Sequence, residues 1–372
     1  MSARAEKFIL GLSLQELTTL VEEAGQPAYR GQQIFESVYK ARVGSFDQMF
    51  TLPQSFRTAL AASGFSVSLP NIERQFTSAD GTIRYLIGLS DGQSVETVWM
   101  PEGDGGEAGD GSEAGIEEEM HSRRNRATIC VSSQVGCAVD CQFCLTASLG
   151  MKRNLTAGEI VAQVCAVLNE RRVQLPQDRV NLVFMGMGEP FLNYDNFMKA
   201  VRLLVDGVGI AESRMTVSTA GIVPRIYDFG GEPVRPKLAI SLNASNDELR
   251  SRLMPLNRKW TLAKLMASAR DFPLRPRERL TFEYVLLDEM NDSGQNAREL
   301  AEMVRGTRAK VNLIALNSGP GIVFKSPAEK RVLEFQRILI AAGIPTFIRR
   351  PRGRDIFAAC GQLKRTLEIN PL

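Results

Sequence analysis

Apolar residues recur every three or four positions over the first part of the chain, which is the period of an amphipathic helix. The pattern predicts helices over residues 13–25, 29–42 and 53–64, with glycine or proline between them. From residue 66 the period shortens, and residues 82–90 and 93–101 are predicted to form two strands of a β-ribbon. We therefore expect a small helical module followed by a ribbon.

After residue 126, short apolar runs alternate with amphipathic segments. The predicted strands are 126–133, 180–186, 214–219, 236–242, 280–287, 309–316 and 345–350. The predicted helices between them include 156–172, 246–253, 296–306 and 328–343. Alternation of this kind predicts an α/β fold with a parallel sheet, either open or curled into a partial barrel.

The composition is that of an ordinary globular protein. The 372 residues are 44% hydrophobic and 23% charged, with a formal net charge of +3, which argues against a fibrous or disordered chain. The apolar runs are too short to cross a bilayer, and the N-terminus lacks the apolar region of a signal peptide. We expect a cytoplasmic protein without membrane contact.

The acidic segment 102–120 and the single histidine limit the kinds of site that the chain can form. Residues 102–120 are glycine-rich and acidic and contain no lysine or arginine, which predicts a mobile loop. The single histidine, His121, follows in a polar stretch and is interpreted as a solvated loop residue. This interpretation excludes histidine-based triads, histidine-rich zinc sites and imidazole acid-base catalysis.

Small polar residues follow four of the predicted core strands. They are Gly188 with Glu189, Ser218, Ser241 with Asn243, and Asn317. Each alone is an ordinary turn residue. Because the carboxyl ends of parallel strands meet at one edge, where α/β folds bind ligands, the set together predicts a binding site.

Four of the six cysteines lie within residues 130–144. Cys137, Cys141 and Cys144 have the spacing C-x3-C-x2-C, and a thiolate set of this kind suits zinc or an iron–sulfur cluster. Cys130 could complete a zinc site as fourth ligand; alternatively, three ligands leave one iron position open for a substrate or cofactor. Cys165 lies among aliphatic residues and is interpreted as a packing residue.

The order of motifs along the chain resembles a known family. The three-cysteine spacing followed by "GMGEP" resembles the radical S-adenosylmethionine (SAM) superfamily. The series "VETVWMP", "CVSSQVGCAVDCQFC", "STAGIVP", "LAISLNASNDELRSRLMPLNR" and "RGRDIFAACGQL" is similar, in order and spacing, to the dual-specificity 23S rRNA and tRNA adenine-C2 methyltransferases. The resemblance covers nearly the whole chain.

The resemblance implies an architecture and a domain organisation. The expected fold is a partial (β/α)6 radical SAM barrel with an N-terminal helical accessory domain and a β-ribbon extension. The expected boundaries are 1–70 for the RNA-binding helical domain, 71–122 for the ribbon with its acidic loop at 102–122, 123–355 for the core barrel, and 356–372 for a C-terminal segment that carries Cys360.

The resemblance also implies a reaction. Family members methylate C2 of an adenine in the peptidyl transferase centre of 23S rRNA and of the adenine 3′ to the anticodon in tRNAs. Cys137, Cys141 and Cys144 are implied to hold a [4Fe–4S] cluster that reduces SAM to a 5′-deoxyadenosyl radical. Cys360, methylated by a first SAM, gives up a hydrogen atom to that radical and joins its carbon to C2; Cys130 then forms a disulfide with Cys360 and releases the product.

Further roles and partners follow from the same resemblance. Glu96 matches the proton acceptor. The positions that match SAM-binding residues are Gly188, Glu189, Ser218, Ser241, Leu242, Asn243 and Asn317. Two SAM molecules per turnover, 23S rRNA and tRNA as substrates, an electron donor such as flavodoxin or ferredoxin, and a monomeric state are expected.

Basic residues and two alternatives complete the picture. A cluster just before Cys360 suits phosphate binding: Arg349, Arg350, Arg352 and Arg354. One alternative function is methylation of adenine C8 by an enzyme of the same superfamily with the same cysteines. The other is a non-enzymatic RNA-binding module stabilised by zinc.

Overall fold

The computed structural model describes residues 7–67, 69–101, 107–108, 126–319 and 321–363. The three predicted N-terminal helices are present within it. They are α1 (Leu14–Glu23), α2 (Tyr29–Phe35), which continues as a π-helix over Glu36–Lys40, and α3 (Gln54–Ala62). Helix α1 begins at Ser13, whose hydroxyl accepts the Glu16 N–H while the Glu16 carboxylate accepts the Ser13 N–H. Two short parallel strands, β1 (Lys7–Phe8) and β2 (Phe65–Ser66), complete the module.

The β-ribbon has three strands, one more than predicted. They are β3 (Ile72–Thr77), β4 (Ile83–Gly88) and β5 (Ser94–Pro101). Strand β3 was not predicted because its residues are mostly polar and exposed, so no apolar alternation identifies it. A two-residue strand, β6 (Glu107–Ala108), follows the ribbon.

All seven predicted core strands form. With two short additions they are β7 (Arg126–Cys130), β8 (Gln134–Val135), β9 (Arg153–Asn154), β10 (Arg179–Phe184), β11 (Met215–Thr219), β12 (Lys237–Ser241), β13 (Leu280–Leu286), β14 (Ala309–Ala315) and β15 (Thr346–Arg349). The sheet order is β3-β4-β5-β7-β10-β11-β12-β13-β14-β15-β6, and every neighbouring pair from β7 to β15 is parallel. The ribbon continues this sheet because β5 runs antiparallel to β7, with Val98 opposite Cys130.

Helices cover the outer face of the parallel strands. They are α4 (Ala157–Glu170), α5 (Tyr194–Leu203), α6 (Val223–Gly230), α7 (Asp247–Leu253), α8 (Leu262–Asp271), α9 (Gly294–Val304) and α10 (Glu329–Ala341). Cys165 lies on α4 and is fully buried, which confirms its predicted packing role. In the described ranges, no helix has the length and apolar character needed to cross a membrane.

The parallel sheet curls around a cavity of about 840 Å³. Side chains from β7, β10, β11, β12, β13, β14 and β15 all line this one cavity, among them Cys130, Thr216, Glu283 and Arg349. Strands of a single sheet can surround one space only if the sheet is strongly curved. The predicted partial barrel is therefore confirmed.

The acidic segment differs in part from the prediction. Its described residues, Glu107–Ala108, are not an unpaired loop; they pair antiparallel with β15, with Ala108 opposite Ile348. The edge of β15 offers free main-chain groups, which a short neighbouring strand can satisfy. Residues 102–106 and 109–125, including His121, lie outside the described residues.

Candidate active site

The three clustered cysteines lie on the loop between β8 and β9, beyond the carboxyl end of β7. Main-chain hydrogen bonds hold this loop within and just after the cysteine run: Gln142 N–H donates to the Leu253 carbonyl at 3.0 Å, and Leu145 N–H donates to the Gly361 carbonyl at 2.8 Å. The Thr146 hydroxyl donates to the Leu363 carbonyl at 2.7 Å. The cysteine loop is therefore tied directly to the segment that carries Cys360.

Gly136 closes the base of this loop. Its φ is +81°, and a Cβ added there would overlap the carbonyl oxygen of Gly150. A side chain at this position would force the two ends of the loop apart.

We expect Gly136→Ala to lose most of its bound iron, since the three thiols would no longer be held together. The matched control is Gly209→Ala, because Gly209 has a similar φ of +86° but nothing within 4 Å of its added Cβ. Iron content and visible absorbance after anaerobic purification measure the effect. Normal iron in Gly136→Ala, or an equal loss in the control, would contradict it.

The three thiols form a donor set suited to a multi-iron cluster. Burial raises the pKa of Cys137 to about 12. Burial and the charges of Cys144 and Cys137 raise the pKa of Cys141, so the three thiols lie within electrostatic range of one another. Such thiols ionise readily only when a metal compensates the charge. Within the described ranges, no three His, Cys, Asp or Glu side chains converge tightly enough to hold a single metal ion. Three thiolates on one loop are the ligand type that an iron–sulfur cluster takes, with each thiolate bound to a different iron.

Cys360 lies on an irregular segment that three parts of the molecule hold in place. Its carbonyl accepts Asn317 Nδ2 at 3.3 Å, and Gln362 Nε2 donates to the Ser318 carbonyl at 2.8 Å. The turn of the β-ribbon supplies further contacts, described below, and the cysteine loop supplies the rest. The Cys360 thiol is exposed at the cavity.

The ribbon turn between β3 and β4 binds Gly353 and Asp355, which precede Cys360 in the chain; residues 353–363 are called the Cys360 segment below. Asp80 Oδ2 accepts the Gly353 N–H at 2.9 Å, and the Ser78 hydroxyl donates to Asp355 Oδ1 at 2.5 Å. Although desolvation opposes it, hydrogen bonding to Gly353, Thr82 and Ser78 lowers the pKa of Asp80 to about 2. Asp80 therefore stays an acceptor at any physiological pH.

Cys130 and Cys360 face the same cavity, although 229 residues of sequence separate them. Cys130 is the last residue of β7 and is only 8% exposed. Burial raises the pKa of Cys130 far above that of a free thiol, and the charge of Cys360 raises it further. Although Cys360 is open to the cavity, desolvation by the cavity wall raises its pKa to about 11. The two thiols line one cavity and influence each other electrostatically, and Cys144 influences Cys360. Thiol–disulfide exchange needs two sulfurs that can approach each other in this way.

Glu189 and Gly188 brace the carboxyl ends of β10 and β11. Glu189 Oε1 accepts the Phe191 N–H at 3.0 Å and Oε2 accepts the Ala220 N–H at 2.7 Å. Burial raises the pKa of Glu189 to about 7. Gly188 has a φ of +98°, and a Cβ there would lie 2.7 Å from the Gln134 nitrogen. Both residues shape the rim of the barrel.

The other strand-end residues lie on the same rim. Ser218 and Ser241 have their hydroxyls 3.2 Å apart. Asn243 is buried, accepts the Val285 N–H at 2.9 Å and has a φ of +57°, while Leu242 is fully buried beside it. Among these predicted SAM-binding positions, Asn317 is the one that lines the described cavity.

Arg250 connects these strand ends and was missed from the sequence. Its fully buried guanidinium donates to the carbonyls of Leu242, Ala220 and Ser241 at 2.7–3.0 Å. Removing the side chain would leave three buried carbonyls without donors, at about 1–3 kcal/mol each. An arginine in "NDELRSRL" reads as an exposed helical residue, so no sequence signal distinguished it.

Glu96 is buried in β5 and does not line the described cavity. Its Oε1 lies 2.6 Å from Arg84 Nη1, and both side chains are almost fully buried. Residues two apart on a strand share a face, and Val98 lies opposite Cys130, so Glu96 lies on the same face of the sheet as Cys130.

A basic rim surrounds the cavity. Three of the predicted arginines line it: Arg349, Arg350 and Arg352. Arg354 is not among the lining residues, whereas Arg126, Arg214 and Lys237, which precede or begin strands and were not predicted, are. Cations from the middle and from the C-terminal part of the chain thus line one cavity, which suits a polyanion.

Two family profiles match the chain. The radical SAM superfamily profile matches residues 131–301, and the profile of the ribosomal RNA large subunit methyltransferase N-terminal domain matches residues 8–64. The crystal structure of a radical SAM methyltransferase from Sphaerobacter thermophilus superposes with a TM-score of 0.85 at 42% identity, covering 96% of this chain and 99% of that one.

Full-length relatives decide the family. The probable dual-specificity RNA methyltransferase RlmN of Koribacter versatilis is 65% identical over 93% of this chain and 98% of its own length. The dual-specificity RNA methyltransferase RlmN of Syntrophobacter fumaroxidans is 45% identical over 94% and 96%. The chain belongs to the RlmN family. Membership in the RlmN family confirms the predicted enzyme class and the cofactors, a [4Fe–4S] cluster and SAM, and removes the zinc-module alternative.

Proposed function

We propose that this protein methylates C2 of an adenine in 23S rRNA and of the adenine 3′ to the anticodon in tRNAs, by way of a methylated Cys360. The observation that carries the proposal is the cavity shared by Cys130, Cys144 and Cys360. Cys144 belongs to the predicted cluster loop, and it lines the same cavity as the Cys130 and Cys360 thiols. A carrier thiol and a resolving thiol need this proximity.

Cys137, Cys141 and Cys144 would hold the cluster, and the rim from Gly188 to Asn317 would hold SAM. When bound, the cluster supplies the electron that cleaves SAM. Gly188 lets the rim pack directly against Gln134 because it lacks a side chain. The Ser218 and Ser241 hydroxyls on the rim and the Asn317 amide in the cavity would supply polar groups for the ligand. Glu189, Leu242 and Asn243 would act mainly by fixing the rim, since main-chain groups or packing already occupy their side chains.

Cys360 would carry the methyl group, and Cys130 would release the product. The Cys360 sulfur accepts a methyl group from SAM, and its carbon later bonds to adenine C2. Cys130 then attacks the Cys360 sulfur, which forms a disulfide and frees the methylated base. Glu96, which is paired with Arg84, is the proposed acceptor of the C2 proton and lies on the Cys130 face of the sheet.

The basic rim supports an RNA substrate. The lining arginines and Lys237 would bind phosphates, while the target adenine is lifted out of its stack to reach Cys360. We propose the predicted domain division, with residues 1–70 as the RNA-binding accessory domain, and a cytoplasmic monomer that receives electrons from a flavodoxin or ferredoxin.

Mass spectrometry of nucleosides from enzyme-treated 23S rRNA fragments and tRNA tests the proposal. We expect 2-methyladenosine from both RNAs, formed only by anaerobically purified protein that contains iron and sulfide. 8-Methyladenosine would assign the alternative reaction, and a colourless zinc protein without product would refute the radical mechanism.

A further inference from the structure

Glu283 is a cavity carboxylate that the proposed reaction does not yet use. It lies in the middle of β13 between the fully buried Phe282 and Tyr284, and it is the residue of β13 that lines the cavity. Of the described residues that line the cavity, it is the only aspartate or glutamate. Glu283 therefore shares the cavity with Cys130 and Cys360, whereas Glu96, the proposed acceptor of the C2 proton, does not line it.

Glu283 is held by neutral partners. The Ser218 hydroxyl donates to its Oε2 at 3.3 Å, and the Asn312 side chain also hydrogen-bonds to it. Lys310 on β14 acts on it electrostatically and opposes the rise of its pKa. Burial raises the pKa of Glu283, which makes it a stronger base than an exposed glutamate.

The charge of Glu283 reaches both thiols. It raises the pKa of Cys130 and of Cys360, while Arg349 on β15 opposes it at Cys360 and the Met185 N–H opposes the rise at Cys130. The other charged side chains that line the cavity are Arg126, Arg214, Lys237, Arg350 and Arg352. Burial strongly disfavours ionisation of the Cys130 thiol, so its attack on another sulfur needs an acceptor for the thiol proton.

We propose that Glu283 is the base that takes the Sγ proton of Cys130 when this thiol attacks the Cys360 sulfur. The S–H bond of Cys130 breaks and its proton moves to the Glu283 carboxylate, while the sulfur electron pair forms the S–S bond. The bond between the Cys360 sulfur and the transferred carbon breaks, and the carbon leaves with that electron pair. The carbon then takes the proton back from Glu283 and becomes the methyl group, so the sulfurs are oxidised and the carbon is reduced by the same two electrons. This assignment rests on the proposed function.

A model exchange reaction tests the step without SAM or RNA. Cluster-loaded protein is treated anaerobically with one equivalent of 2,2′-dithiodipyridine, which reacts first at the exposed Cys360 and releases one thiopyridone. Attack by Cys130 on the Cys360 mixed disulfide then releases a second thiopyridone, which absorbance follows. Cys130→Ser must abolish this second phase, which identifies it.

We expect Glu283→Gln to slow the second phase about a hundredfold near neutral pH, the contribution typical of a general base. High pH should restore the rate, and Glu283→Asp should restore part of it. Glu302→Gln, on the exposed face of α9, is the matched control and should leave the rate unchanged. If Glu283 acted only as a negative charge, its loss would instead ease ionisation of Cys130 and speed the second phase, so an unchanged or faster phase would overturn the proposal.

The pH profile of the unmodified protein provides an independent test that does not depend on folding of a variant. A carboxylate base predicts a second-phase rate that levels off below the thiol pKa. A rate that keeps rising with hydroxide up to the thiol pKa would refute the role of Glu283. Because neither SAM nor RNA is present, a failure to methylate adenine would leave this result intact.

Discussion

Replacing Cys130 by alanine is expected to trap the RNA on the protein through a bond to Cys360. The carbon on Cys360 could still join adenine C2, but the only other cysteine in the described cavity, Cys144, would be bound to the cluster and could not break the link. Val98 and Val183, which lie opposite Cys130 on the neighbouring strands, keep their pairing because the main chain is unchanged. We expect up to one RNA per protein molecule and no repeated turnover.

A denaturing gel of the reaction with a 23S rRNA fragment would show the adduct as an RNase-sensitive upward shift, and peptide mass spectrometry would locate it at Cys360. Cys165→Ala is the matched control, since this cysteine is buried in α4 away from the cavity. Normal turnover by Cys130→Ala would remove Cys130 from the mechanism and, with it, the step assigned to Glu283.

Replacing Cys360 by alanine is expected to abolish methylation while the protein keeps its cluster. The contacts between the Cys360 segment and the cysteine loop use main-chain oxygens, those of Gly361 and Leu363, which alanine at position 360 does not alter. The Asn317 amide likewise bonds to the main-chain carbonyl of residue 360. Only the carrier sulfur is lost.

Iron and sulfide content together with methyladenosine yield measure this outcome. Cys360→Ala should retain the iron of the unmodified protein and form no product, whereas Gly136→Ala should lose both. Product formation by Cys360→Ala would show that the methyl group reaches adenine without this thiol. Loss of iron would show that Cys360 contributes to holding the cluster.

Much of this site could be predicted from the sequence because strand-end residues and clustered cysteines have local signals. The spacing of Cys137, Cys141 and Cys144 marks one loop, and the apolar runs before Ser218 and Ser241 locate the rim. The proximity of Cys130 and Cys360 has no such signal, because it depends on how far the sheet curls. Only the family resemblance implied it.

Residues inside the barrel were harder to predict. Glu283 lies within "LTFEYVLL", where a polar residue alternating with apolar ones is typical of a strand with one solvated face. In a curled sheet the same alternation places the polar residue in the cavity. Strand β3 was missed for the opposite reason, since its apolar face is too small to produce an alternation.

The hydrogen bonds that join Asp80 and Ser78 to the segment that carries Cys360 limit how far this protein can be shortened. A fragment limited to the seven parallel strands and their helices would keep the cysteine loop, yet the tail bearing the carrier sulfur would lose its anchor at Gly353 and Asp355. Such a fragment should bind iron and still be a poor catalyst, because the β-ribbon holds the segment that carries Cys360 in position.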